Sequence, residues 1–404
     1  SYADGTLTLQ IKQSPAALPN QEHQKPFHMP LALGFVGADG NSVVLNQSDV
    51  ASDGAVTLRD SGETVLLEAK ESEHELRINN LPAKPVVSFL REFSAPVKVS
   101  HQRDAEELAF LVEHDTDGFV RWDAMQTLWM EYFDTNINAT VDPVATLGGL
   151  AKGALALETP EQQMLAATML AVPNENYLFE QLRGFDVDAL LDARDAAVEN
   201  AAQAHVQTWE ALVAMHDSGQ AYQADASGMA RRALGNTAFS YLAKTQTGAV
   251  LEELLQTRYA KADNLTDRRT VLAIACRHTG VSEAFKDSLL EDFYQAWKDY
   301  ALVIDLWFNL QAQSPLITID GLRALEAHRD FDAKNPNRAR SVYAAFGMLN
   351  NRKFHQLDGS GYEFLSDVIM RLDALNPQMA SRLTTPLTRM GRYDVTRQRL
   401  MRKQ

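Results

Sequence analysis

The hydrophobic period of this chain changes once, near residue 102, and that change limits what each part can become. Up to about residue 101 apolar residues alternate: TLTLQIK puts Leu7, Leu9 and Ile11 on one face, and FHMPLALGF does the same with Phe27, Met29, Leu31, Leu33 and Phe35. A strand turns successive side chains to opposite faces, so this alternation predicts half-buried strands. TVLLEA, HELRI and PVVSFLREF continue the series, separated by turn-rich pieces such as GADGNS and SDG. Seven or so short strands in about 100 residues, with no helical stretch between them, predict a small immunoglobulin-like β-sandwich, though without the paired cysteines of an antibody domain. Beyond 102 the period is 3.6. In DGFVRWDAMQTLWMEYF, Trp122, Met125, Trp129, Tyr132 and Phe133 share one helical face. ETPEQQMLAATML carries a helix start, with Thr159 as N-cap, Pro160 in the first helical position and Gln162 closing a capping box. A dozen or more helices with short connections predict a HEAT/ARM-like α-solenoid of stacked antiparallel pairs with a concave surface. The fold class is thus multidomain, all-β then all-α: a sandwich over 1–101 and a solenoid over 102–404, joined near Val99 to Arg103.

Charge is distributed unevenly. The chain has 404 residues and a formal net charge of −15, yet residues 338–404 hold 12 Lys or Arg against 5 Asp or Glu. That region stands at +7 and leaves −22 on residues 1–337, so the end of the chain would attract anionic groups, carboxylates included. Nucleic acid is not an expected partner, because no helix-turn-helix, aromatic RNA platform or zinc finger is present. The single cysteine, Cys276, lies in the apolar run TVLAIACRH, which excludes an internal disulfide and predicts a buried, inert thiol. No apolar run reaches the roughly 18 residues of a membrane span, so no membrane partner is expected. The chain starts at Ser1 without an initiator Met and can be a piece of something longer, so the lack of a signal peptide carries little weight.

A search for chemistry is mostly negative. A zinc peptidase helix needs His-Glu-x-x-His, so that two imidazoles one turn apart reach one metal while the Glu activates water. The only His-Glu pair is His74-Glu75, and the residue four beyond His74 is Ile78, on a predicted strand. The ten histidines are otherwise scattered and read as surface or satisfied core residues. HDTDGF, with Asp115, Asp117 and Gly118, lacks the remaining ligands of a calcium loop and reads as an Asp-rich helix connection. DGSGY, from Asp358 to Tyr362, reads as a tight turn. No Gly-x-Ser-x-Gly elbow, Walker loop or Cys-His arrangement occurs, and the sequons at Asn138 and Asn264 are expected by chance. No catalytic residue and no metal ligand is assigned.

Two segments survive. In KNPNRARS, residues 334–341, Asn335 and Pro336 resist helix, Asn337 is the expected N-cap, and Arg338 and Arg340 follow in the first turns. Cations there oppose the helix dipole, whose positive end favours anions. In NPQMASRLTTPL, Pro377 starts a helix and Gln378 and Arg382, four apart, project from one face. An arginine fork beside an amide on a concave wall suits a peptide carboxylate or backbone. Solvated arginines, or pairs with internal acids, are the alternative reading.

The order EFSAPVKVS, DGFVRWDAMQTL, KNPNRARSVYAAF, DGSGYEFLSDVI and NPQMASRLTTPLTRMGRYDVTRQ resembles the C-terminal half of the bacterial aminopeptidase N family, zinc metallo-aminopeptidases of the gluzincin type. The resemblance covers essentially the whole chain. It implies a four-domain parent with an N-terminal β-domain, a thermolysin-like catalytic domain, a β-sandwich and a helical domain, of which this chain holds the last two. Zinc would then belong to the missing catalytic domain, with no cofactor in this piece, and the piece is expected to be inactive alone. By the same resemblance Gln378 and Arg382 line the substrate cavity near bound peptide, with Asn337, Arg338 and Arg340 on its wall. Expected partners are the parent's N-terminal and catalytic domains and the peptide substrate, and the expected location is cytoplasmic. The rival from another class is a free-standing sandwich-plus-solenoid scaffold that binds a protein partner.

Overall fold

A computed structural model describes residues 1–15, 25–101, 103–217 and 221–404. Its chain divides into two compact units, Ser1–Leu150 and Ala151–Gln404. In the first, two four-stranded antiparallel sheets form: β1 (Tyr2–Ala3), β2 (Thr6–Lys12), β7 (Glu73–Ile78) and β4 (Val50–Ser52) in one, and β5 (Ala55–Arg59), β6 (Thr64–Ala69), β3 (Met29–Val36) and β8 (Val86–Phe89) in the other. Inward residues of both sheets meet in one core, with Leu7, Val50, Leu76 and Ile78 from the first and Leu31, Leu33, Phe35, Val65 and Leu67 from the second. This is an immunoglobulin-like sandwich. The expected face of β3 is present except for Phe27, which precedes the strand and is exposed. Ala32, Gly34 and Val36 are buried as well, because β3 lies between β6 and β8 and Arg91 covers its second face.

That arginine explains why the first compact unit runs past the last strand to residue 150. Buried Arg91 donates from Nη2 to Asp115 Oδ1 at 3.1 Å and to Thr116 Oγ1 at 2.7 Å, from Nη1 to Thr64 Oγ1 at 2.9 Å, and from Nε to Ser88 Oγ at 3.1 Å. The sandwich is thereby bonded to the end of the helix Ala105–His114. A buried cation satisfied on every side is a strong tie, because any partner removed leaves an uncompensated group. The turn that carries it holds Leu90, Glu92 and Phe93 at positive φ. Asp117 caps the next helix, Gly118–Phe133, through Val120 N at 2.8 Å and also accepts from Glu92 N at 2.9 Å. HDTDGF is therefore a helix connection whose carboxylates serve the protein itself.

The second unit is a stack of helices with the ARM-repeat pattern. Thr159 caps Pro160–Met169 through Gln162 N at 3.3 Å, with Pro160 first in the helix; the reciprocal bond of a capping box is not formed. The helix Ala226–Lys244 packs against Pro160–Met169, Val187–Ala204, Val206–His216 and Leu265–Arg277. Its faces suit this role, since small Ala230, Gly235, Ala238 and Ala243 alternate with Leu234 and Phe239. The unit also closes on itself. Arg397, almost fully buried on the helix Val395–Lys403, donates from Nη2 to Asp188 Oδ2 at 2.6 Å, from Nη1 to Asp394 Oδ2 at 2.8 Å and from Nε to the His355 carbonyl at 2.9 Å. Arg352 reinforces the closure, reaching Asp192 and Asp195 at 2.8 and 3.0 Å. No helix among the described residues is long and apolar enough to cross a membrane.

Candidate functional site

The helix Pro336–Leu349 begins two residues earlier than the sequence reading places it. Its N-cap is Asn335, whose Oδ1 accepts from Asn337 N at 3.0 Å and from Arg338 N at 3.3 Å, so Asn337 is not the cap. Proline at the first helical position lacks an N–H that would be orphaned anyway, and its φ is preset for helix. Pro336 therefore opens this helix instead of resisting it.

That shift decides where the arginines point. Arg338 turns inward and is buried: Nε donates to Asp305 Oδ1 at 2.6 Å, Nη1 to the Asp330 carbonyl, and Nη2 to the Ala301 carbonyl at 3.4 Å. Its guanidinium also lies 5.0 Å from the Phe308 ring centroid. The cation that opposes its own helix dipole is thus answered by an acid of the helix Ala301–Ala312, and the expectation of an external partner does not hold for Arg338. Arg340 is exposed and folds back on its own turn, donating to the Pro336 carbonyl at 3.2 Å and to Asn337 Oδ1. Asn337 is exposed beside it. Asp305 and Phe308, missing from the sequence reading, lie 33 and 30 residues away and carry no local signal.

The helix Pro377–Leu383 is capped by Asn376, whose Oδ1 accepts from Met379 N at 3.1 Å. Met379, Ala380 and Leu383 are buried and anchor it. Gln378 and Arg382 are exposed on the remaining surface, and neither side chain has a hydrogen-bonding or ionic partner among the described residues. The structure thus separates the five residues into one that is satisfied internally, two that bond to each other at the surface, and two that are unengaged. A groove of about 590 Å³, lined by Arg323, Glu326, Phe364, Asp367, Met370 and Arg371 and by none of these five residues, opens between the helices Ile319–Glu326 and Ser360–Asp373. Glu326 accepts there from Tyr343 and from Arg371, each at 2.6 Å, and burial followed by this bond raises the Tyr343 pKa.

Three of the histidines, His278, His328 and His355, are used internally. His278 Nδ1 accepts from Gly280 N at 3.0 Å and His328 Nδ1 from Asp330 N at 3.2 Å, both bonds to the residue two ahead. His355 is buried against Tyr362, at 2.8 Å from the hydroxyl, and burial together with the Arg397 charge pushes its pKa down to about 3. Burial drives the Cys276 thiol up to about 12. In DGSGY, Gly359 adopts positive φ before the helix Ser360–Asp373, and Asp358 Oδ1 accepts from Ser360 N at 2.9 Å, which makes the segment a turn. Among the described residues no three His, Cys, Asp or Glu side chains are arranged to hold a metal ion, so the described residues do not fit zinc.

Comparisons with known proteins agree with this anatomy. A family described as a domain of unknown function with ARM repeats (DUF3458_C) matches residues 105–404, and one described as having an Ig-like fold (DUF3458) matches residues 1–102. The chain is 32% identical over 404 residues to aminopeptidase N of Escherichia coli (strain K12), an alignment covering 98% of this chain and 44% of that protein. It is 33% identical over 366 residues to aminopeptidase N of Caulobacter vibrioides, covering 88% of this chain and 40% of that protein. Among solved structures, Legionella pneumophila aminopeptidase A in complex with aspartic acid matches with a TM-score of 0.78 at 24% identity, over 98% of this chain and 44% of that one, a likeness of fold. The chain spans less than half the length of these relatives.

Proposed function

Because the chain belongs to the DUF3458 family and corresponds to the C-terminal portion of aminopeptidase N, we propose that it is the non-catalytic part of an aminopeptidase that removes N-terminal residues from peptides. In this reading the sandwich, 1–101, and the helical module, 102–404, dock against N-terminal and catalytic domains of the parent. The zinc belongs to those domains, and the parent acts in the cytoplasm. This portion limits access to the site of cleavage and helps orient the peptide, an entropic contribution to rate.

The observation that carries the reading is the pair Gln378 and Arg382, exposed and without internal partners on a helix whose other face is anchored in the core. Unengaged polar side chains on a rigid support can meet a ligand without first breaking other bonds. Arg340 and Asn337 form a second, self-bonded outward group that can serve the same wall. Arg338 is left out of it, and its role is to hold that helix in place.

Two measurements test this. The isolated chain is assayed for aminoacyl-anilide hydrolysis with and without the parent's N-terminal half; activity restored only by the mixture supports the reading, whereas absence of both binding and rescue favours the free-standing scaffold. In the full-length parent, Arg382→Ala should weaken peptide turnover by roughly 1 to 3 kcal/mol if the arginine meets a desolvated carboxylate. Unchanged peptide kinetics would leave Arg382 as surface charge.

A further inference from the structure

Apart from the two arginine segments, the helical unit holds a cavity of about 460 Å³ where the helices Val206–His216 and Gly248–Lys261 end and Ala226–Lys244 and Leu265–Arg277 begin. That volume lies within the range of small-molecule sites. Four cations line it, Arg231, Arg232, Arg258 and Lys261, in a chain of net charge −15.

Three carboxylates also line the cavity, and their commitments determine how far they answer those cations. Asp263 accepts from Tyr222 N at 2.8 Å and from Asn264 Nδ2 at 3.0 Å. Asp267 accepts from Asn236 Nδ2 at 2.7 Å and from Asn264 Nδ2 at 2.8 Å. Neutral N–H groups thus take the hydrogen bonds of both, although the Asp263 charge still acts on Arg232. Asp217 lies 3.7 Å from Arg258 Nη1 and 3.9 Å from Lys261 Nζ, beyond direct hydrogen bonding. Among the described residues, therefore, no carboxylate hydrogen-bonds to Arg232, Arg258 or Lys261.

Two of these cations are already oriented. Arg232 donates to the Gln223 carbonyl at 2.8 Å and lies 4.6 Å from the Tyr222 ring centroid, while Arg258 lies 4.9 Å from that of Phe239 and reaches Asn236 Oδ1 at 3.4 Å. A guanidinium held over a ring and hydrogen-bonded at the same time has less rotamer freedom left to lose on binding an oxyanion. His216 supplies an independent sign. It lines the cavity, and its Nε2 is buried without a partner among the described residues. Burial and the Arg231 charge lower its pKa, so the ring presents a neutral nitrogen. A buried ring nitrogen without a partner calls for one, and in the Nε2–H tautomer it can donate to an oxyanion.

We propose that this cavity binds a compact oxyanion of two or more negative charges, a polycarboxylate or a phosphate, with Arg232, Arg258 and Lys261 as donors and the His216 nitrogen against the ligand. The site is independent of the aminopeptidase reading and stands or falls separately from it.

The test is calorimetric titration of the full chain with citrate and, separately, inorganic phosphate at constant ionic strength, with the His216 ring resonance followed by NMR and assigned through its loss in His216→Gln. Expected are saturable binding of one anion per chain, a saturating shift of that resonance, and a Kd raised about tenfold by Lys261→Gln, the scale of one charge-assisted hydrogen bond. Citrate alone, phosphate alone or both satisfying these criteria identifies the ligand chemistry. Lys261 is largely exposed, so its replacement preserves the fold, which circular dichroism verifies. No saturable binding of either anion overturns the proposal, as does binding that leaves His216 unshifted or that Lys261→Gln does not weaken.

Discussion

Replacing Arg338 separates the role assigned to it here, a structural one, from a role in substrate binding. Arg338→Ala removes the cation from a pair whose side chains are only 8% and 15% exposed, leaving Asp305 charged and the Asp330 carbonyl without its donor. Breaking a buried pair by removing one partner costs about 3 to 5 kcal/mol, and the lost contact with Phe308 adds to the same side. Taking about 3 to 4 kcal/mol, and about 2 to 4 °C per kcal/mol for a unit of this size, the helical transition should fall by roughly 6 to 16 °C. Scanning calorimetry with circular dichroism on the isolated chain measures it. A double-mutant cycle isolates the pair: Arg338→Met with Asp305→Leu removes both charges, so it should cost clearly less than the sum of the single changes. Additive losses, or an Arg338→Ala transition within a degree or two of wild type, would refute the assignment.

Three further outcomes are expected. His355 has its pKa depressed from the ordinary value to about 3, so the unfolded chain binds a proton that the native state refuses. Stability should therefore fall as pH drops below about 6.5, at up to about 1.4 kcal/mol per pH unit, and His355→Gln should flatten that slope in urea titrations between neutral pH and mild acid. At Gly361 an added Cβ would come within 2.4 Å of the Phe354 carbonyl, so Gly361→Ala should cost several kcal/mol by thermal melting. Gly153, in the helix Pro143–Ala154, meets nothing within 4 Å, so Gly153→Ala should stabilise by about 0.5 to 1 kcal/mol in the same assay.

What the sequence reveals here follows from the range of its signals. The alternation of β2, β3, β6 and β7, the change of period, the cap at Thr159 and the helix start at Pro377 are written within a few residues, where side-chain direction and backbone hydrogen bonding are decided. Gln378 and Arg382 emerge from the same local logic, since an i, i+4 pair beside buried Met379 and Leu383 must face outward. Arg338 does not, because its orientation depends on Asp305 and Phe308 in another helix. Asn335 and Asn337 are both competent caps by residue type, and only the tolerance of Pro336 for the first helical position chooses between them. The cavity at His216 combines residues from four helices and their connections, with no motif to mark it.

The bond from Arg397 to Asp188 joins residues 209 positions apart. An open array of repeats can fray inward from its tips and can gain or lose a pair of helices with modest consequence, because each member touches only its neighbours. The helices between Asp188 and Arg397 are bracketed by this fastening, so their melting should be concerted. Insertion or deletion of a repeat between the clasped positions would pull the guanidinium of Arg397 away from Asp188, so this bond makes the count of helices between them part of the fold.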